Sequence, residues 1–234
     1  MSFQSVILAA GKGTRLKSDK AKVLHEVLGR PMISHAVRAA LGSGAERAVV
    51  VTGYNRQNVE SWLEANEDGE RIDFAVQEEQ LGTGHAVWQA EEFLKDGPDY
   101  TLIQYGDVPL IEGETLEEFA EMVIDSRRPV GLMTAVLDDP KQYGRVTRDA
   151  DGDVTGIVEY ADATPEQRRI DEINAGFYLV RTDFLVEHLP KIVEGEADNA
   201  QEEYYLTDLV AMACREEGVF GWTCPDPQLI RGVN

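Results

Sequence analysis

The fifteen residues Leu8-Ala9-Ala10-Gly11-Lys12-Gly13-Thr14-Arg15-Leu16-Lys17-Ser18-Asp19-Lys20-Ala21-Lys22 have the composition of a phosphate-contacting loop. The aliphatic run Val6-Ile7-Leu8 reads as a buried strand that ends abruptly in small residues, two glycines and clustered cations. Glycine lets backbone N–H groups come close to an anion, while Lys12, Arg15 and Lys22 add positive charge. The spacing is not that of a Walker loop, which needs Gly, four residues and then Gly-Lys-Ser/Thr. A dinucleotide fingerprint starts at Gly11 and Gly13, but Leu16 takes the place of its third glycine, which disfavours a nicotinamide or flavin enzyme. Taken alone, the stretch also has a plainer reading as a solvated basic turn.

The elements that must position this loop follow from periodicity. Pro31 to Leu41 repeats apolar residues at helical spacing and ends at Gly42, Ala48 to Gly53 is a continuous buried strand, and Val59, Trp62 and Leu63 mark the inner face of a second helix. Ile72 to Val76 is a third strand that delivers Gln77 and then Leu81-Gly82-Thr83-Gly84-His85-Ala86, followed by a helical stripe of Val87, Ala90, Phe93 and Leu94. Tyr100 to Tyr105 is a fourth strand ended by Gly106-Asp107-Val108-Pro109; a helix carrying Leu116, Phe119, Ala120, Val123 and Ile124 leads to a fifth strand at Val130 to Val136. This order predicts an α/β fold, a Rossmann-like, doubly wound, mostly parallel sheet that binds ligands beyond the carboxyl ends of its strands. After Leu137 the rhythm changes. Gly144 to Arg148 and Val154 to Glu159 read as an inserted hairpin, Ile170 to Val180 as a strand carrying Asn174, Phe184 to Leu189 as a helix, and Tyr204 to Val210 as the start of another, an α+β half that shapes an acceptor pocket.

With 234 residues, 43% of them hydrophobic, the chain is expected to form one domain over residues 1–234. No apolar run approaches the ~20 residues that cross a bilayer, and no secretory signal opens the chain, so a cytoplasmic protein is expected. Cys214 and Cys224 have neither zinc spacing nor the density of a disulfide scaffold. The 43 acidic against 22 basic residues, a net charge of -21, argue against nucleic acid or anionic membrane as a partner.

These residues, in this order, closely resemble the sugar-nucleotide pyrophosphorylases, and among them the bacterial N-acetylglucosamine-1-phosphate uridyltransferase domains. The resemblance runs from Val6 to Gly232-Val233-Asn234. It rests on the opening loop with Lys22-Val23-Leu24, on Gln77 and Leu81-Gly82-Thr83-Gly84-His85-Ala86, and on Tyr105-Gly106-Asp107-Val108-Pro109. Tyr143-Gly144-Arg145, Glu159, Ile173-Asn174-Ala175-Gly176 and Glu203-Tyr204-Tyr205-Leu206-Thr207-Asp208 complete it.

The resemblance implies that UTP and N-acetylglucosamine 1-phosphate give UDP-N-acetylglucosamine and pyrophosphate with Mg²⁺. It assigns the nucleotide to Leu8, Ala9, Ala10, Gly11, Gln77, Gly82 and Thr83, with Gln77 donating to and accepting from the uracil edge. Lys22 becomes the α-phosphate contact, Arg15 the clamp on pyrophosphate, and Asp107 and Asn234 the metal ligands. Tyr105, Gly144, Glu159 and Asn174 become the sugar site. Three positions depart from the family: Ala21 stands where proline commonly precedes the lysine, Ala175 where many relatives have Thr, and Tyr160-Ala161 in place of a frequent His-Lys pair. His25, His35, His85 and His188 read as capping, packing or surface residues. Nothing in the sequence reads as the left-handed β-helix acetyltransferase that follows this domain in many relatives, so a monomer is expected, and a trimer where a β-helix follows. Another sugar-1-phosphate nucleotidyltransferase and a noncatalytic nucleotide-sugar-binding domain are the alternatives.

Overall fold

The apolar run at the amino terminus folds as β1 (Phe3–Leu8), buried at every position, as a strand covered on both faces must be. In this computed structural model, which describes residues 2–195, 197 and 199–233, the loop after β1 leads through the one-turn segment Thr14–Leu16 and the turn Lys22–Leu24 to a small hairpin, β2 (Glu26–Val27) and β3 (Arg30–Pro31). There follow α1 (Met32–Gly42), β4 (Ala48–Thr52), α2 (Arg56–Asn66), β5 (Ile72–Val76), α3 (Thr83–Trp88), α4 (Glu91–Lys95), β6 (Tyr100–Tyr105), α5 (Gly113–Ser126) and β7 (Val130–Val136). The remainder comprises β8 (Arg145–Arg148), β9 (Val154–Val158), β10 (Glu172–Arg181), α6 (Thr182–Val193), α7 (Thr207–Glu216) and β11 (Val219–Thr223).

The main sheet runs β11-β7-β10-β6-β1-β4-β5. Neighbours β6, β1, β4 and β5 are parallel, β11 is parallel to β7, and β10 is antiparallel to both β6 and β7. One reversed strand therefore sits inside a sheet whose other long strands share a direction. The hairpin β8–β9 hangs from β10 through the Arg145–Ile173 pairing. Alternate strand residues feed the two faces. Val6, Val49, Val51, Ile103, Leu132 and Tyr178 pack under α3, α4, α6 and α7. On the opposite face Ile7 and Val50 pack with α1 and α2, and Leu102, Met133 and Phe177 with α5.

The doubly wound, mostly parallel sheet with its inserted hairpin is the architecture expected from the sequence, with four differences. The stripe Val87 to Leu94 is two short helices, because Gln89-Ala90 turns tightly, with Ala90 N–H donating to Val87 O (3.0 Å) and Phe93 N–H to Ala90 O (2.9 Å). Tyr204-Tyr205 precedes α7 as extended chain, since the Tyr204 peptide pairs with another loop. Neither β11 nor the β2–β3 hairpin was anticipated; β11 is short, holds Gly221 and is only partly buried, so it lacks the apolar run of the central strands.

Candidate active site

Four parallel strands end on one side of the sheet, and their exits meet. Ala9 N–H donates to Val51 O (2.9 Å), Gly106 N–H to Leu8 O (2.9 Å), Gln77 N–H to Thr52 O (2.8 Å) and Tyr54 N–H to Ala10 O (3.1 Å). These bonds tie the loops after β1, β4, β5 and β6 around a cavity of about 340 Å³. Leu8, Ala9, Ala10 and Gly11 form its floor, Gln77, Gly82 and Thr83 one side, and Arg15, Lys22, Tyr105 and Asp107 the other. Eleven of the residues singled out from sequence thus share one wall-to-wall space.

Lys22 and Asp107 form an ion pair across this cavity, each side chain largely shielded from solvent. Lys22 is held from below, for Ala21, Val23 and Leu24 are buried in the core under α1, and the turn closes with Leu24 N–H on Ala21 O (3.0 Å) and His25 N–H on Lys22 O (3.1 Å). Gly13, at φ +63°, folds the loop over that lysine so closely that a Cβ would stand 2.5 Å from Lys22 Cβ. Ala21 itself takes φ −54° and ψ 137°, the backbone a proline would impose. Asp107 is steadied by Val233, whose N–H donates to Asp107 O (2.9 Å). Asn234, the other expected metal ligand, lies outside the described residues. Arg15 is exposed, and besides the cavity it lines a wider cleft beside Tyr143 and Arg231.

The loop carrying Gly82 and Thr83 is fastened to a segment far along the chain. Gly84 N–H donates to Tyr204 O (2.8 Å), Tyr204 N–H to Leu81 O (2.8 Å) and Leu206 N–H to Thr83 Oγ1 (3.0 Å). Gly82 sits at φ +114°, with the Tyr204 backbone 2.6 Å from where a Cβ would be, so any other residue there would be strained and would collide. Glu203, on the same segment, lines the cavity, and burial raises its carboxyl pKa. The Glu203-to-Asp208 run carries no role legible in its sequence; its backbone pairing makes it the clasp of the Leu81–Gly84 loop.

Gln77 is almost fully buried, and its amide nitrogen lies 3.1 Å from Gly82 O and 3.0 Å from His85 Nδ1. His85, read from sequence as packing or capping, is therefore part of the wall behind Gln77.

Gly144, Glu159 and Asn174 do not line this cavity; they form an adjoining cluster. Asn174 N–H donates to Gly144 O (2.9 Å), and the Glu159 carboxylate occupies the space beside Gly144 where a side chain would project. Asn174 stands at the break in register between β10 and β7, where Oδ1 accepts from Gly176 N–H (2.9 Å) and Nδ2 donates to the Tyr178 hydroxyl (2.6 Å). Burial raises the Glu159 pKa, a hydrogen bond from Thr207 opposes the rise, and Asp162, Asp208 and Glu203 add to it. Tyr105 joins the two regions: it lines the cavity, shares a hydrogen bond with Thr83, and its phenol pKa is raised by burial and then by the charges of Glu159 and Asp107. Tyr178 and Thr207 were not anticipated; Tyr178 braces Asn174 from four residues along the same strand, and Thr207 reaches Glu159 from a segment remote in sequence.

As to a divalent cation, Asp107 offers one carboxylate at a strand end facing the space that phosphates would fill, and the described residues hold no group of three or more His, Cys, Asp or Glu that could ligate a metal. A lone carboxylate fits Mg²⁺, which takes most of its oxygen ligands from phosphates and water.

The nucleotidyl transferase family model matches residues 4–220. Among curated relatives, the bifunctional protein GlmU of Desulfotalea psychrophila is 46% identical over 98% of this chain and 66% of its own length. The proteins of the same name from Alcanivorax borkumensis and Chromohalobacter salexigens are 49% and 47% identical over 91% and 100% of the chain, but over only 45% and 49% of their own lengths. The chain thus spans about half the length of the latter two. A crystal structure titled a putative glucose-1-phosphate thymidylyltransferase from Bacillus anthracis, in complex with a sucrose, superposes with a TM-score of 0.79 over 95% of this chain and 87% of that one, at 20% identity, a likeness of fold.

Proposed function

The chain belongs to the nucleotidyl transferase family, and on that premise we propose that it transfers UMP from UTP to N-acetylglucosamine 1-phosphate, releasing pyrophosphate. The observation that carries this reading is the single cavity in which Gln77, Gly82 and Thr83 stand on one side and Arg15, Lys22 and Asp107 on the other. The first group suits a base and the second a polyphosphate. Identity of 46% to 49% with the GlmU proteins supports the choice of substrates.

A phosphate oxygen of the sugar phosphate attacks the α-phosphorus of UTP in line; that O–P bond forms as the bond to the β-phosphate oxygen breaks, and pyrophosphate leaves with the electron pair. The attacking oxygen is already anionic, so no protein base is needed. Lys22 stabilises charge on the α-phosphate, Arg15 holds the departing pyrophosphate, and the floor from Leu8 to Gly11 packs against the nucleoside. Asp107 would hold Mg²⁺, which when bound would neutralise phosphate charge. The sugar lies towards Tyr105, Gly144, Glu159 and Asn174, where carboxylate and amide meet hydroxyls and the acetamido group. Phosphorylated, membrane-impermeant substrates place the reaction in the cytoplasm.

Pyrophosphate release measured across a grid of nucleoside triphosphates and sugar 1-phosphates, with Mg²⁺, tests the reading. UTP with N-acetylglucosamine 1-phosphate is expected to give the highest kcat/KM. Turnover with dTTP and glucose 1-phosphate in its absence would replace the substrates proposed here.

A further inference from the structure

The Gln77 side chain offers two N–H donors and one carbonyl oxygen, which can only accept. Its nitrogen has two partners, Gly82 O at 3.1 Å and His85 Nδ1 at 3.0 Å. The first partner is a carbonyl and can only accept, so it fixes which end of the amide is nitrogen. The second must then accept as well, which requires the Nδ1 of a neutral imidazole. The other ring nitrogen consequently carries the proton and faces the terminal amide of Gln89, 3.1 Å away; to accept that proton Gln89 presents its oxygen there and gives up the longer contact of its nitrogen with His85 O, 3.4 Å.

The neutral form is the one the surroundings favour. Burial lowers the His85 pKa, and Glu79, through a backbone contact and its charge, opposes that only in part. Trp88 lies edge-on to the ring at 6.3 Å between centroids, which keeps the imidazole upright between Gln77 and Gln89. Both amide protons of Gln77 are thus spent inside the protein. Only its oxygen remains for whatever occupies the cavity it lines.

We propose that His85 is a specificity-determining positioning residue: by accepting the second N–H of Gln77 it makes that side chain a pure acceptor, so that the cavity selects a nucleobase whose ring edge donates an N–H. Uracil and thymine present an imide N–H at ring position 3. Cytosine presents a lone pair there, which faces the Gln77 oxygen unpaired and repelled. Without His85, one N–H of Gln77 is released, the amide is anchored by Gly82 alone, and it can turn to meet either edge. The inference rests on the uridine-nucleotide reading and adds to it the device that excludes cytidine nucleotides.

The test compares kcat and KM for UTP and CTP, with N-acetylglucosamine 1-phosphate and Mg²⁺, in the unaltered protein, His85→Leu and His85→Asn. In His85→Leu, which has no acceptor, KM for UTP is expected to rise about tenfold with kcat within about threefold, and the UTP-over-CTP preference in kcat/KM to fall at least about tenfold. His85→Asn keeps an acceptor near the position of Nδ1 and is expected to restore the preference to within about threefold. A preference unchanged in folded His85→Leu, or no better in Asn than in Leu, overturns the proposal. Should His85→Leu not fold, NMR of the unaltered, ¹⁵N-labelled protein decides: a through-hydrogen-bond coupling between the Gln77 side-chain nitrogen and His85 Nδ1, present with and without UMP, supports the device, and its absence removes it. If the unaltered protein neither turns over nor binds UTP or CTP, the uridine reading fails and this inference with it; a strong UTP preference that survives in His85→Leu removes only the part given to His85.

Discussion

At the proposed phosphate end of the site, Arg15 and Lys22 stand on one continuous loop leaving β1, and Lys22, seated on buried neighbours, pairs with Asp107. At the proposed sugar end the charges are reversed in sign and in origin: Glu159 and Asp162 follow β9, Asp208 stands on α7, and Glu203, which also lines the cavity, comes from the segment before α7; burial and then the charges of the other three raise the Glu159 pKa. In the proposed reaction the first region neutralises a polyanion and the second binds an uncharged ring. The difference teaches that the site's cations gather at the cavity with Asp107, and most of its acids in the cluster that Tyr105 joins to it.

The largest effects should come from the phosphate side. Lys22→Ala and Asp107→Ala are each expected to lower kcat by about 10²- to 10³-fold while the thermal unfolding transition stays cooperative. A loss of less than about tenfold in either would break the contrast at its base. On the sugar side, Glu159→Gln is expected to raise KM for N-acetylglucosamine 1-phosphate by about tenfold and leave KM for UTP within about twofold. The same substitution should raise Tm at neutral pH. A carboxyl whose folded-state pKa stands above its ordinary value of 4.5 opposes folding when ionised. Folding is favoured as pH falls through that raised pKa, so the Tm advantage of the Gln variant should shrink between neutral pH and 4.5. An advantage constant over that range would show that burial and its acidic neighbours do not raise the Glu159 pKa. The smallest effect is Ala21→Pro, which the backbone at φ −54° accommodates; it should stabilise the fold by about 0.4–1 kcal/mol with kcat unchanged, as read from denaturant midpoints and initial rates.

The same division explains what could be read from the sequence. The strands β1 and β4 are legible because strands buried on both faces carry apolar runs, Val6-Ile7-Leu8 and Ala48 to Val51, while β5 at the sheet edge and β6 are marked by β-branched and aromatic residues, and the loops that leave all four follow directly in the chain. Gly11, Lys22, Gln77 and Asp107 were placed at strand ends on that ground, and they converge in the structure. Contacts between distant segments carry no such local mark. That β10 would slip antiparallel between β6 and β7, and that Tyr204 would be extended so as to pair with Leu81 and Gly84, both depend on where the chain returns. The hairpin β8–β9 was legible from its Asp-rich turn, yet its attachment to β10 through Arg145 was not.

The clasp between the Leu81–Gly84 loop and the Tyr204–Leu206 segment sets an order of events during synthesis. Nearly all residues of the cavity leave the ribosome in the first half of the chain, yet the loop presenting Gly82 and Thr83 has its backbone partners more than a hundred residues later. A chain that stops short of Tyr204 lacks the bonds from Tyr204 and Leu206 and holds that loop only locally, through contacts such as Gln77 to Gly82. Closure of the base-side wall is therefore the contribution of the second half of the chain, arriving after every other part of the cavity but Glu203.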